Sequence, residues 1–291
     1  MLKPEHVQHL KRPGFNYDSP TRMTCFRAPR KIILRQTEPT IFATIDESQF
    51  YFPNSIFQIK LDDISIRLEY LLAILNSRFL RRFYDLAARV RGTTKPQIYL
   101  NVLKSMPIRR IAFTTPQEER EWLVEEGLQR YEAYLEHGED VSVRAFVAAR
   151  LLTEEEPEQA DVIHDLLAHL AEQMIEMHKA KNEEVRGFLD WLAGYTSLPV
   201  EEWSLKTNLK AYYQNDWAEM QRILDRNRRR ISKVNVQGRE ASEQIRTEWE
   251  ASMEKLQPLL ARIAATDRLI DLIVYRLYGL TEEEVAVVED H

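Results

Sequence analysis

Apolar and polar positions along this chain change period after about residue 61. Before it, KIILRQT (31–37), TIFATID (40–46), QFYF (49–52) and SIFQIKL (55–61) are short runs rich in Ile, Phe, Tyr and Thr. Pro39, the Asp46-Glu47-Ser48 cluster and Pro53-Asn54 separate them. β-Branched and aromatic side chains suit a pleated, half-buried surface, whereas Pro, Asn, Asp and Ser favour turns, so the runs predict strands of a small meander or mixed sheet. From Ile64 to about Val90 the spacing lengthens. Leu68, Leu71, Leu72, Leu75, Phe79, Leu80 and Phe83 recur at steps of three and four, the stripe of a helix. Gly92 and Pro96 then bracket a loop, VRGTTKPQI (90–98), and a short element leads to Met106-Pro107.

After Thr114-Thr115-Pro116 the helical period takes over. Gln117–His137 is followed by Gly138, a helix stop. Residues 158–193 carry Ile163, Leu166, Leu167, Leu170, Met174, Val185, Phe188, Leu189 and Leu192 at helical spacing. From about Arg239 to Tyr278, Ile245, Trp249, Leu256, Leu260, Ile263, Ile270, Val274 and Leu277 form a second long stripe. Such steps suit helices packed along one another, as in a hairpin or short coiled coil. Pro258 is expected to kink this helix and Thr266-Asp267 to restart it with a fresh cap. The fold class that follows is α+β: a small mixed sheet with helices, then a mostly α-helical domain of long packed helices.

Composition changes the picture once charge is read along the chain. Residues 1–111 hold 19 Lys and Arg against 9 Asp and Glu, a net of +10, while the remainder holds 21 against 37, a net of −16. The overall value of −6 hides this partition. A basic segment asks for a polyanion, and an acidic one is kept from it by repulsion. The step predicts two domains, 1–115 and 116–291. No apolar run approaches the roughly 20 residues that span a bilayer, and the first fifteen residues have no apolar stretch suited to secretion. Cys25 is the only cysteine, which excludes intramolecular disulfides and Cys-rich zinc sites and points to a reducing cytoplasm.

The densest basic feature is residues 78–95, where Arg78, Arg81, Arg82, Arg89, Arg91 and Lys95 oppose one acid, Asp85. On a helix Arg78, Arg82 and Arg89 are near neighbours, and the following loop adds Gly92, Thr93 and Thr94, whose backbone and hydroxyl groups can donate to phosphate oxygens. A solvated helix face and a turn would carry the same pattern. A second cluster is Arg22, Arg27, Arg30, Lys31 and Arg35. Arg and Gln can read guanine and adenine edges by paired hydrogen bonds, which makes Arg35, Gln36 and Gln97 candidate readers. The run Arg228-Arg229-Arg230 could touch phosphate, but closing a helix C-terminus is the favoured reading.

Catalytic signatures are absent from the sequence. No paired glycines form a dinucleotide loop or P-loop, no GxSxG elbow occurs, and the one cysteine has no evident partner. His164 and His169, five apart, lie about 140° apart on a helix and cannot share a metal; capping or solvation accounts for them. The carboxylate runs read as solvated faces, and no metal-ligating cluster typical of a stand-alone nuclease is seen.

Several stretches resemble a known family. KIILRQT with ATID, LEYLLAILNSRFLRRFY (68–84), the glycine loop and LKSMPIRRI (103–111) are similar to the TaqI-like C-terminal specificity domain, the target-recognition part of adenine-specific DNA methyltransferases and type IIG restriction-modification enzymes. NEEVRGFLDWL (182–192), LKTNLKAY (205–212) and ATDRLIDLIVYRLYGLTEEEVAVVE (265–289) resemble the C-terminal helical region of large enzymes of that class. The resemblance implies recognition of double-stranded DNA beside a methyltransferase domain or subunit that holds S-adenosylmethionine. This sequence departs from the full pattern, having neither Asn-Pro-Pro-Tyr nor Asp-Pro-Pro-Tyr to hold a flipped adenine. The expectation is therefore a non-catalytic, cofactor-free recognition module, either a C-terminal fragment or a separate specificity subunit. Arg27, Arg30, Lys31, Arg35, Arg81, Arg82, Arg89, Arg91, Thr93, Thr94, Lys95 and Gln97 are its expected DNA contacts. The rival expectation is a protein–protein adaptor whose acidic helices dock a partner, with the basic residues cancelled in cis.

Overall fold

The computed structural model of the protein describes residues 27–38, 40–48, 55–90, 97–151 and 158–290, with the side chains of Arg89 and Val90 outside that description. The expected strand at 49–52 and the loop residues 91–96 also lie outside it. Three strands, β1 (Lys31–Arg35), β2 (Ala43–Asp46) and β3 (Ile56–Ile59), form an antiparallel sheet in the order β2-β1-β3. Ile32 stands opposite Ile45 and Ile59, and Leu34 opposite Ala43 and Phe57. The two-residue period puts these side chains on one face, where Ile32, Leu34 and Ala43 are buried.

The helical stripe from residue 64 becomes two helices, α1 (Leu68–Asn76) and α2 (Arg78–Val90). Ser77 separates them by doing two jobs. Its extended backbone places its N–H on Ile74 O at 3.2 Å, ending α1, and its Oγ accepts the Leu80 N–H, also at 3.2 Å, starting α2. A serine before a helical run is a good N-cap, and here that preference breaks a continuous apolar stripe. Asn76, one residue earlier, acts as a strand. Its Oδ1 accepts the Ala43 N–H at 2.9 Å and its Nδ2 donates to Ala43 O at 3.0 Å, covering the open edge of β2. Asn76→Leu is expected to lower stability by about 1–3 kcal/mol, because both backbone groups of Ala43 lose their partners. Urea denaturation would measure this, and an unchanged midpoint would show that water replaces the amide freely.

A short helix, α3 (Leu100–Leu103), precedes the long helical part: α4 (Gln117–His137), α5 (Val141–Leu151), α6 (Ala160–Thr196), α7 (Lys206–Lys210), α8 (Trp217–Asn227), α9 (Arg239–Leu277) and α10 (Glu282–Glu289). The fold is α+β with a mostly helical C-terminal part, as expected. Gly138 ends α4 in the left-handed region at φ 77°, its N–H on Tyr134 O. α9 runs unbroken through Pro258 and through Thr266-Asp267, which corrects the expected restart. Thr266 is fully buried and its hydroxyl bonds Tyr131 OH at 2.8 Å, so tertiary packing takes the group that could have capped.

Packing divides the chain into two compact units: residues 1–172 with 266–291, and residues 173–265. The core of the second is built on Phe188, Leu192, Trp203, Tyr212, Ile223 and Leu256. In the first unit, buried polar groups from beyond residue 115 tie down the segments before it. His164, fully buried, accepts the Arg67 N–H on its Nε2 at 3.1 Å, just ahead of α1, so this histidine is neither solvated nor a metal ligand but a structural acceptor. Asp161 accepts the Thr115 N–H and hydroxyl at 2.8 and 2.7 Å, and Tyr278 OH donates to Pro107 O at 2.7 Å while accepting the Arg109 N–H at 3.1 Å. Each is a buried or half-buried polar group satisfied across long sequence separation, so the basic segment and these helices form one cooperative unit.

Candidate nucleic-acid interface

The surface of interest is made where β1, α2 and the segment after residue 96 meet. Leu80 and Tyr84 turn α2 inward and are almost fully buried. Tyr84 OH donates to Gln97 O at 3.3 Å and accepts the Tyr99 N–H at 2.7 Å, fixing where the chain returns to the sheet. There the Ile98 N–H bonds Gln36 O at 2.7 Å, and the Gln36 N–H bonds Ser55 O at 2.7 Å. Arg35 and Gln36 at the end of β1 thus sit on a segment bonded directly to the one carrying Gln97. The structure joins, through their backbones, the two segments that carry Arg35, Gln36 and Gln97. Arg35 is 73% exposed, with Glu38 at 3.3 Å, a surface pair that a phosphate or base edge can replace at little cost.

The other expected contacts separate into three groups. Arg81 and Arg82 are half-buried on α2, and no acid pairs with either among the described residues. Their Nε atoms are shielded from solvent without a protein acceptor. Arg27 is exposed. Arg30 is exposed but already engaged, at 2.8 Å from Glu47 and bonded to the buried Glu69. Lys31 has to be corrected as a contact. It is fully buried, 2.9 Å from Asp46, its register partner on β2, so its ammonium cannot reach a ligand. Burial works to raise the Asp46 carboxyl, but hydrogen bonds from Ser48 and Lys31 outweigh it and hold the group below the usual carboxylate range. Arg91, Thr93, Thr94 and Lys95, with the Arg89 side chain, lie outside the described residues.

Arg78, the head of the expected ridge, points to a different partner. Its backbone N–H donates to Asp271 Oδ1 at 2.8 Å and its Nε lies 3.1 Å from Oδ2. Asp271 is 2% exposed, and burial pushes its carboxyl up to about 6, aided by Asp267 and opposed by Arg78 and Arg81. The Arg67–Glu172 and Arg109–Glu158 pairs likewise join basic side chains to acids from beyond residue 112. Cancellation in cis is therefore real at these positions; among the described residues no acid forms an ion pair with Arg81, Arg82 or Arg27, although Asp271 acts on Arg81 at longer range.

Sequence reasoning missed Phe83 and Leu86, exposed by 37% and 45% on the same helix. The apolar stripe includes Phe83, but the fully buried positions on this helix are Leu80 and Tyr84, with Phe79 half-buried against Tyr278, their ring centroids 4.6 Å apart. Placing Leu80 and Tyr84 at the centre of the buried face would have left Leu86 well off it. Among the described residues no group of three or more His, Cys, Asp or Glu side chains could hold a metal, and no helix is long and apolar enough to cross a membrane.

Two family models match the chain. Residues 5–108 match the TaqI-like C-terminal specificity domain, and residues 160–274 match a domain of unknown function (DUF8810). No curated protein and no solved structure matched.

Proposed function

We propose that this chain is the DNA sequence-recognition module of a restriction-modification adenine methyltransferase, contributing specificity rather than chemistry. The observation that carries the reading is a coincidence of position. The segment matching a specificity domain, 5–108, lies within the basic stretch 1–111 of net charge +10, and it holds the exposed Arg35 and the Gln36 and Gln97 segments bonded through Ile98. In this reading Arg81, Arg82, Arg89, Arg91 and Lys95, helped by Thr93 and Thr94, neutralise phosphates and set the register on the duplex. Arg35 and Gln97 then read base edges.

Residues 1–115 are the proposed recognition part and 116–291 the helical part that braces it. A methyltransferase domain or subunit is the proposed partner. It would hold S-adenosylmethionine, for which this sequence has no paired-glycine loop, and would act on the adenine that the module selects. The proposed compartment is the cytoplasm.

Duplex binding titrated against salt tests the reading. Five phosphate contacts predict a log–log slope of roughly −4.5. Arg81→Gln with Arg82→Gln should make it shallower by about 2 on every sequence. Arg35→Ala should instead relax preference at one base pair, by about 1–3 kcal/mol. A wild-type slope near zero would remove DNA from the proposal.

A further inference from the structure

Within the acidic part of the chain, one turn reverses sign. From Asp225 to Arg239 there are six cations, Arg226, Arg228, Arg229, Arg230, Lys233 and Arg239, against the single acid Asp225. Arg239 is paired with Glu243 at 2.8 Å, and Asp225 accepts from Gln237 at 3.3 Å. The other five cations are all exposed, and none has an acidic partner among the described residues.

The backbone that carries them is locked. Asn227 is fully buried; its Nδ2 donates to Ser204 O and Ile223 O at 3.0 and 2.8 Å, and its Oδ1 accepts the Ser204 N–H at 2.7 Å. Its own carbonyl accepts the N–H groups of Arg230 and Ile231, turning the chain sharply at the end of α8. Ile231 and Val236 are buried beyond the turn. Arg228, Arg229 and Arg230 are therefore held between two inward anchors and forced into solvent. Arg230 Nη1 rests on Glu202 O at 2.6 Å and Lys233 Nζ on Gly194 O at 3.2 Å, which orients both side chains without neutralising them.

Closing the helix C-terminus does not account for this much charge. That end is equivalent to about half a negative elementary charge, which Arg226 in the last turn already offsets. Four further cations repel one another unless something anionic lies across them. We propose that this turn is a second contact to the DNA backbone, independent of base sequence. Duplex DNA presents one phosphate per about 1.7 Å of axis, so such a cluster meets phosphates at any site. The choice of DNA as the polyanion rests on the function proposed above; the turn itself lies in residues 173–265, outside the segment matching the specificity domain.

Arg228→Gln with Arg229→Gln in the full chain tests the proposal and leaves Arg230 and Lys233 on their carbonyls. The salt slope of duplex binding should become shallower by about 2, equally on all sequences, so that the affinity lost between 50 and 200 mM salt shrinks roughly tenfold. Melting temperature should hold or rise. An unchanged slope overturns the proposal, and a lowered melting temperature with an unchanged slope assigns the charges to the helix end. Binding to phosphatidylserine vesicles that depends on the two arginines, with DNA binding unaffected, would overturn it in favour of a lipid surface. If Arg81→Gln with Arg82→Gln leaves the slope unchanged while this variant lowers it, the turn stands and the first surface falls. A wild type with no salt-dependent duplex binding removes both.

Discussion

Replacing Lys31 with methionine is expected to cost about 3–5 kcal/mol of folding stability, and adding Asp46→Leu to recover most of that loss. The two charges are almost fully buried on neighbouring strands, 2.9 Å apart. Removing one leaves the other desolvated without its counter-charge, whereas removing both exchanges an ion pair for apolar contact of similar volume. A double-mutant cycle in urea measures the coupling. The outcome also separates two roles for this lysine. A phosphate contact would change the salt slope of DNA binding and leave stability alone; a buried structural cation does the reverse. Additive losses in the cycle would show that Lys31 and Asp46 do not depend on each other.

Asp271 should make the protein less stable as pH rises from about 4 to 6. Its folded-state carboxyl is raised from an ordinary 3.8 to about 6, so in that interval the folded chain binds more protons than the unfolded one. Under linkage, stability then falls with rising pH, and the full penalty for ionising Asp271 stands above about pH 6. A shift of roughly two units corresponds to about 3 kcal/mol. Asp271→Asn keeps an oxygen for the Arg78 N–H and removes the charge. The variant should match wild type near pH 4 and exceed it near pH 7. Other carboxylates, including Asp46 with its opposite shift, are common to both proteins and cancel in the difference between the two melting curves. Parallel curves across this range would mean that the Arg78 ion pair, with the weaker long-range influence of Arg81, already neutralises Asp271.

Local chemistry was legible wherever neighbours in sequence decide the outcome. The strands at 31–35, 43–46 and 56–59, the stop at Gly138 and the long helices all follow from period and punctuation. The break at Ser77 was present in the Asn76-Ser77 pair but hidden, because apolar spacing continues through it and only the capping preference of serine argues against one helix. The candidate site was legible in part. Arg35, Gln36 and Gln97 were named from residue type, yet sixty residues separate them in sequence, and only the Ile98–Gln36 hydrogen bond makes them neighbours.

Charge marks the division most clearly. The sequence by itself determined how much charge each segment holds, since that count needs no coordinates. It also determined which stretches alternate and which spiral. It could not say which cations face water. Lys31 and Arg35 lie on one strand and read alike, but one is fully buried against Asp46 and the other is exposed. Arg78 and Arg82 lie one helical turn apart, and an aspartate 193 residues away from Arg78 pairs with that arginine alone. Burial and ion pairing depend on what the rest of the chain brings alongside, and that was decided only by the tertiary structure.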